Sequence, residues 1–158
     1  MVEASKTTRT YMVVTDETPE ARIALHFAAR RAAKTGGAVI VLAIISPPEF
    51  VQWSGVQAAM EEEALARVEG LLAQVAGEIF EESGIKPEIF IRHGAAADVV
   101  RSFLEEGHPV HALVLGAAEK GPPGPLVSHF AGEAAGQMPC PIMVIPGGLT
   151  PQQLDELS

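Results

Sequence analysis

Between His111 and Pro146 two short apolar runs stand on either side of a loop and a helix-length segment. The first run, Ala112-Leu113-Val114-Leu115, stops at Gly116. The second, Ile142-Met143-Val144-Ile145, is bounded by Pro141 and Pro146. A Gly/Pro-rich loop, Gly116 to Pro125, comes between them, followed by Leu126 to Gln137, long enough for about three helical turns. A strand, a loop, a helix and a second buried strand make one parallel crossover unit. In such sheets small ligands sit outside the carboxyl ends of the strands, where loop backbone and helix N-termini converge. The loop after Leu115 is therefore the first place to look for a small anionic ligand.

The rest of the chain repeats the unit. Tyr11 to Thr15 reads as a buried strand ending at Asp16. Thr18-Pro19 is a helix start, a hydroxyl at the N-cap and a proline at the first helical position. Ala21, Leu25, Ala28 and Ala32 recur at helical spacing until Gly36-Gly37 stops them. Val39 to Ile45 is a continuous apolar run, as expected of a strand covered on both faces. Ser46-Pro47-Pro48 breaks it, and Phe50, Val51 and Trp53 then stand in what reads as a loop. Trp53 is read either as a lid over a ligand edge or as part of a partner surface; a lone exposed aromatic is also ordinary. A long amphipathic helix from about Ala58 to Glu82 carries Leu65, Val68, Leu72, Val75 and Ile79 on one stripe. Pro87 to Arg92 alternates like an edge strand with one wetter face, and Asp98 to Glu106 is a short helix.

The resulting order, βαβαβαβαβ, predicts an α/β fold: a single domain on a parallel sheet with right-handed crossovers. Two parallel halves place the first and fourth strands side by side, which puts Asp16 and Gly116 on one rim. Residues 1–10 read as a flexible tail, 11–146 as the domain and 147–158 as a polar tail with a helical turn at Pro151 to Leu157. At 158 residues the chain is long enough for a real core.

Composition narrows the functions. With 20 acidic against 11 basic residues the net charge is −9, which weighs against nucleic acid and anionic membrane surfaces as partners. No window approaches the roughly 18 apolar residues of a membrane span. One cysteine, Cys140, leaves no intramolecular disulfide and fits a reducing cytoplasm. The turn Thr15-Asp16-Glu17-Thr18-Pro19 has no glycine, so it is not a dinucleotide fingerprint, and no Gly-Lys-Ser/Thr loop of a nucleotide hydrolase exists. Asp16 is read two ways: as an acceptor for a ribose or base, or as the cap of the turn. The Gly116 to Gly124 loop, leading to Ser128-His129, offers backbone N–H groups to an anion, or is a surface loop with Ser128 as a cap. The five histidines are dispersed and form no metal set. Cys140, between prolines before a buried strand, reads as packing rather than chemistry.

Five stretches together resemble the universal stress protein family over Tyr11 to Pro146. They are Tyr11-Met-Val-Val-Thr-Asp16, Val41-Leu-Ala-Ile-Ile45, His93-Gly94, Ala112-Leu-Val-Leu-Gly116 and Pro139-Cys-Pro-Ile-Met-Val-Ile-Pro146. The resemblance implies a five-stranded parallel sheet in order 3-2-1-4-5, helices on both faces, and a stress-response or regulatory role without catalysis. It also implies a homodimer through the last strand (Ile142, Val144). One branch of the family binds ATP or AMP, and no metal is expected without the nucleotide. That branch carries a glycine, two residues, a second glycine, nine residues, then glycine and a serine or threonine. Carried over, Asp16 matches the acidic position, Ile44 the second-strand residue whose backbone meets adenine, and Gly116 the first glycine. Glu119 stands in place of the second glycine, Ser128 of the last, and His129 of the hydroxyl residue. A one-residue shift would bring Gly121 and Gly124 into the loop's backbone donors. The candidate nucleotide-binding set is thus Thr15, Asp16, Ile44, Leu115, Gly116, Gly121, Gly124, Ser128 and His129. The alternative is a homodimeric interaction protein that binds no nucleotide. An enzyme of a related nucleotide-binding α/β group is a third reading, for which no nucleophile or base stands out.

Overall fold

Strands β2 (Ala38–Ile45) and β4 (Ala112–Ala117) are apolar throughout and β1 (Thr10–Thr15) is apolar between its terminal threonines, because both of their faces are covered. Along β1 the side chains alternate between two cores: Tyr11 and Val13 join one, Met12 and Val14 the other. The computed structural model describes residues 8–46 and 54–158; Phe50, Val51 and Trp53 lie outside them.

With β3 (Glu88–His93) and β5 (Ile142–Pro146) the strands form one parallel sheet in order β3-β2-β1-β4-β5. This is the expected five-stranded order. β1 and β4 are neighbours, with Met12 opposite Leu113, so the order reverses between them. Among the described residues β3 and β5 are the two edge strands.

One face carries α1 (Pro19–Thr35), α2 (Ser54–Ser83) and α5 (Pro151–Leu157), which contribute Ala24, Leu25, Leu72, Ile79 and Leu154 to the first core. The other carries α3 (Ala96–Glu105) and the segment after β4, with Val100, Phe103, Val127 and Phe130 buried. Burying a side chain the size of Phe103 or Phe130 contributes about 1.5–3 kcal/mol.

The boundaries differ from the sequence reading in two informative places, and the expected turn at Pro151 to Leu157 is found with the bounds it was given. β4 runs two residues past Leu115, through Gly116 to Ala117, because Ala117 still pairs with Pro146 of β5. The expected three-turn helix at Leu126 to Gln137 is instead α4 (Pro125–Ser128), a π-helical turn at His129–Glu133 and a 3₁₀ turn at Ala135–Gln137. Gly132 leaves helical geometry (φ −104°, ψ −109°), and Gly136 follows, so two glycines in one short stretch leave little helix propensity to hold it. In residues 147–158 the helical turn is α5, begun by a capping box at Thr150 and Gln153. It is docked on α1 through Leu154 and through hydrogen bonds from Arg31 and Lys34 to Ser158.

Candidate functional site

Two strand-to-helix turns meet at the carboxyl rim where the strand order reverses. The first is Thr15 to Thr18. One oxygen of Asp16, Oδ1, accepts the backbone N–H of Thr18 at 2.9 Å and the Thr18 hydroxyl at 2.5 Å. The Thr18 hydroxyl oxygen in turn accepts the N–H of Ala21 at 3.3 Å, capping α1, with Pro19 at its first position. Asp16 therefore does fill the turn-capping role, with one oxygen, while the exposed carboxylate stays at the rim.

The second turn is the loop from Gly116 to Gly124. Gly116 packs directly on the first turn of α1: a Cβ there would stand 2.1 Å from the carbonyl oxygen of Glu20. The glycine is thus demanded by the approach of β4 to the α1 backbone. Beyond it, Ala118 N–H donates to Pro123 O at 3.1 Å, and Gly121 and Gly124 take φ of +76° and +115°.

Between the turns lies a cavity of about 250 Å³ lined by Thr15, Asp16, Ile44, Leu115, Gly116 and Gly124, with Thr18, Glu20, Ser46, Ala96, Pro123 and Pro125 to Val127. Six of the nine residues singled out from sequence are brought together there. Gly121, Ser128 and His129 are not. Ser128 is not a helix cap: α4 starts three residues earlier, at Pro125, and Ser128 lies at its end with its N–H on Gly124 O. His129 is turned toward α3, where Arg101 Nη2 donates to its Nε2 at 3.0 Å. Glu119, the carboxylate in the second-glycine position, leans on Gly148 and does not line the cavity. Neither does Lys120.

The cavity's charge is carried by Asp16 and Glu20, with no lysine, arginine, histidine or cysteine among the described residues that line it. Of the loop's prolines, Pro123 and Pro125 line the cavity and present no N–H to an anion. Sequence reading missed Thr18, Glu20 and Ser46 as lining residues; Thr18-Pro19 was visible only as a helix start. The placement of Ala96 at the mouth depends on where α3 crosses, and no local signal reports that.

A second cavity, of about 360 Å³, lies on the other side of the same strand tips, between α1 and α2. It shares Thr15, Asp16, Thr18, Ile44 and Ser46, and is floored by Leu25, Leu72 and Val75. Glu17, Arg22 and Arg67 also line it, and ion pairs reach α2 from both sides of the α1 start: Glu17 of the turn with Arg67, and Arg22 of α1 with Glu78 at 2.5 Å. The Arg22 guanidinium holds the Glu78 carboxyl below its usual range. Cys140 is half-buried beside the α3-side core, where burial pushes its thiol pKa up and makes it a poorer nucleophile. Among the described residues no three His, Cys, Asp or Glu side chains converge as metal ligands. Nor is any described helix long and apolar enough to cross a membrane.

The sequence model of the universal stress protein family matches residues 7–146. The chain belongs to that family. No curated protein matches it in sequence. Universal stress protein UspA from Lactobacillus plantarum is similar in structure, with a TM-score of 0.72 at 15% identity, over 87% of this chain and 97% of that one. A universal stress protein family protein from Arabidopsis thaliana with AMP bound gives 0.57 at 16%, over 87% and 91%. A universal stress protein from Archaeoglobus fulgidus in complex with dAMP gives 0.55 at 18%, over 88% and 98%. At such identities the likeness is one of fold.

Proposed function

We propose that this universal stress protein domain is a non-catalytic cytoplasmic sensor in stress response or regulation, binding the nucleoside end of an adenine nucleotide in the cavity between β1, β2 and β4. The observation that carries this reading is that Asp16 and the Gly124 to Val127 segment line one cavity at the point where the strand order reverses. Ile44 and Leu115 offer an apolar slot for a flat ring. Asp16, with Oδ1 bonded to Thr18, has its second oxygen for a ribose hydroxyl. Complexes with AMP and dAMP among proteins of the same fold support the choice of base. The charge of the lining sets the preference: Asp16 and Glu20 repel added phosphates, and no cation in the lining offsets them.

Adenosine and AMP are accordingly expected to bind more tightly than ATP in isothermal titration. Asp16→Ala should weaken adenosine by about tenfold, the loss of one charge-assisted hydrogen bond. Absence of heat from all three at millimolar ligand would reject the reading, and a preference for ATP would reject the charge argument.

A second reading has its own support. Val144 is 41% exposed on β5, an open edge of the sheet. A homodimer through Ile142 and Val144 would cover it and make the protein an interaction module with or without nucleotide. Val144→Lys should then dissociate the dimer in sedimentation equilibrium.

A further inference from the structure

We infer that the opposite edge of the sheet, β3, is a second self-association surface that takes another copy of this chain in antiparallel register centred on Phe90. Among the described residues β3 is the last strand on its side. The N–H of Gly94 donates to Ile45 O at 3.1 Å, so the even-numbered residues of β3 spend their backbone groups on β2. The alternate residues, Ile89 and Ile91, therefore turn their N–H and C=O groups to the open edge. Pro87 falls in the same outward phase; with no N–H it can only accept from His93 of the second copy, so the pairing carries one backbone bond there and the ladder ends at that pair.

A two-fold axis through Phe90 pairs Ile89 with Ile91 of the second copy, and Glu88 with its Arg92. Ile89 and Ile91 then exchange backbone hydrogen bonds on both sides of the axis. Ile89, 38% exposed, gains an apolar cover. Glu88 and Arg92 lie on the α3 face with Phe90 and meet as opposite charges twice, once on each side of the axis. Arg92 is held over the Phe90 and Phe103 rings, with its guanidinium carbon 5.4 Å and 5.7 Å from the ring centres. Its Nη2 stands 3.6 Å from Glu106, and its side chain is 41% exposed, so it is preoriented at the edge and still open to a partner. Charges on an edge strand ordinarily deter pairing. Here they deter strands of other sequence and match a copy of their own, which makes the edge selective for self.

The test is a charge swap, read by sedimentation velocity of the full chain in the Val144→Lys background so that β5 does not contribute. Glu88→Arg alone and Arg92→Glu alone each place like charges opposite one another. Each should raise the dissociation constant about tenfold or more. The double variant restores both pairs and should return to within about threefold of its parent. A parent that is monomeric throughout, single variants without effect, or a double variant no better than the singles would each overturn the inference. Cross-linking gives a second measure. Residues 88 and 92 face each other across the axis in non-hydrogen-bonded pairs, about 4.5 Å apart at Cα. Glu88→Cys with Arg92→Cys, in a Cys140→Ser background, should oxidise to a covalent dimer; a chain that stays monomeric under oxidation counts against it.

Discussion

The turn after β1 and the loop after β4 end on the same rim, yet they are held by different means. The first is a polar device: one carboxylate oxygen, one hydroxyl and one backbone N–H form a chain of bonds from Asp16 through Thr18 to Ala21, and α1 continues for 17 residues. Ion pairs from Glu17 and Arg22 then tie it to α2. The second is held by covalent stiffness: prolines at 122, 123 and 125, two glycines at positive φ, and one backbone bond across the loop. It launches a helix of only four residues before the chain changes pitch. A cavity wall can thus be fixed by hydrogen bonds that solvent and pH act on, or by dihedral restriction that neither touches.

Breaking the joint between the two regions should have the largest effect. Gly116→Ala forces a methyl against the Glu20 carbonyl, and backbone on both sides leaves little room to yield. Destabilisation of about 3 kcal/mol is expected from urea unfolding. Gly124→Ala acts on the loop alone; at φ +115° an L side chain is strained, for about 2 kcal/mol. Thr18→Ala removes the cap of α1 at about 1 kcal/mol, and should spare the β4 loop in hydrogen exchange. If Gly124→Ala and Thr18→Ala loosen the same amides, the two regions are not independent.

The smallest effect is one of pH. Because Arg22 depresses the Glu78 carboxyl in the folded state, that pair's stabilisation is present above the ordinary value of 4.5 and is lost as pH falls through the lower folded one. Arg22→Ala should flatten the acid limb of the stability curve. Gly124→Ala should leave its slope unchanged, since no carboxylate is involved.

Much of this was legible in the chain. The runs in β2 and β4 are apolar at every position, and only strands covered on both faces read so. Thr18-Pro19 and Gly36-Gly37 mark the ends of α1 with residues whose backbone chemistry suits those ends and little else. The rim pairing of Asp16 with Gly116 followed from the topology. What failed was local and of two kinds. Leu126 to Gln137 has the length of a helix, but length is no guide where two glycines lower propensity and tertiary contacts of Phe130 decide the path. Ser128 and His129 were aligned by spacing, and once α4 begins at Pro125 that spacing carries them past the cavity, His129 toward Arg101.

By itself the amino-acid order determined the alternation of strands and helices, the two-sided burial of the central strands, the acidic surface and the family. These depend on hydrophobic period and turn chemistry, which act over a few residues. Only the tertiary structure decided that Gly116 serves the Glu20 carbonyl, that Glu119 lies beside Gly148 and clear of the cavity lining, and that Glu88 and Arg92 flank an open edge. Those facts depend on which distant backbones approach within van der Waals reach, and nothing short of the packed sheet specifies that.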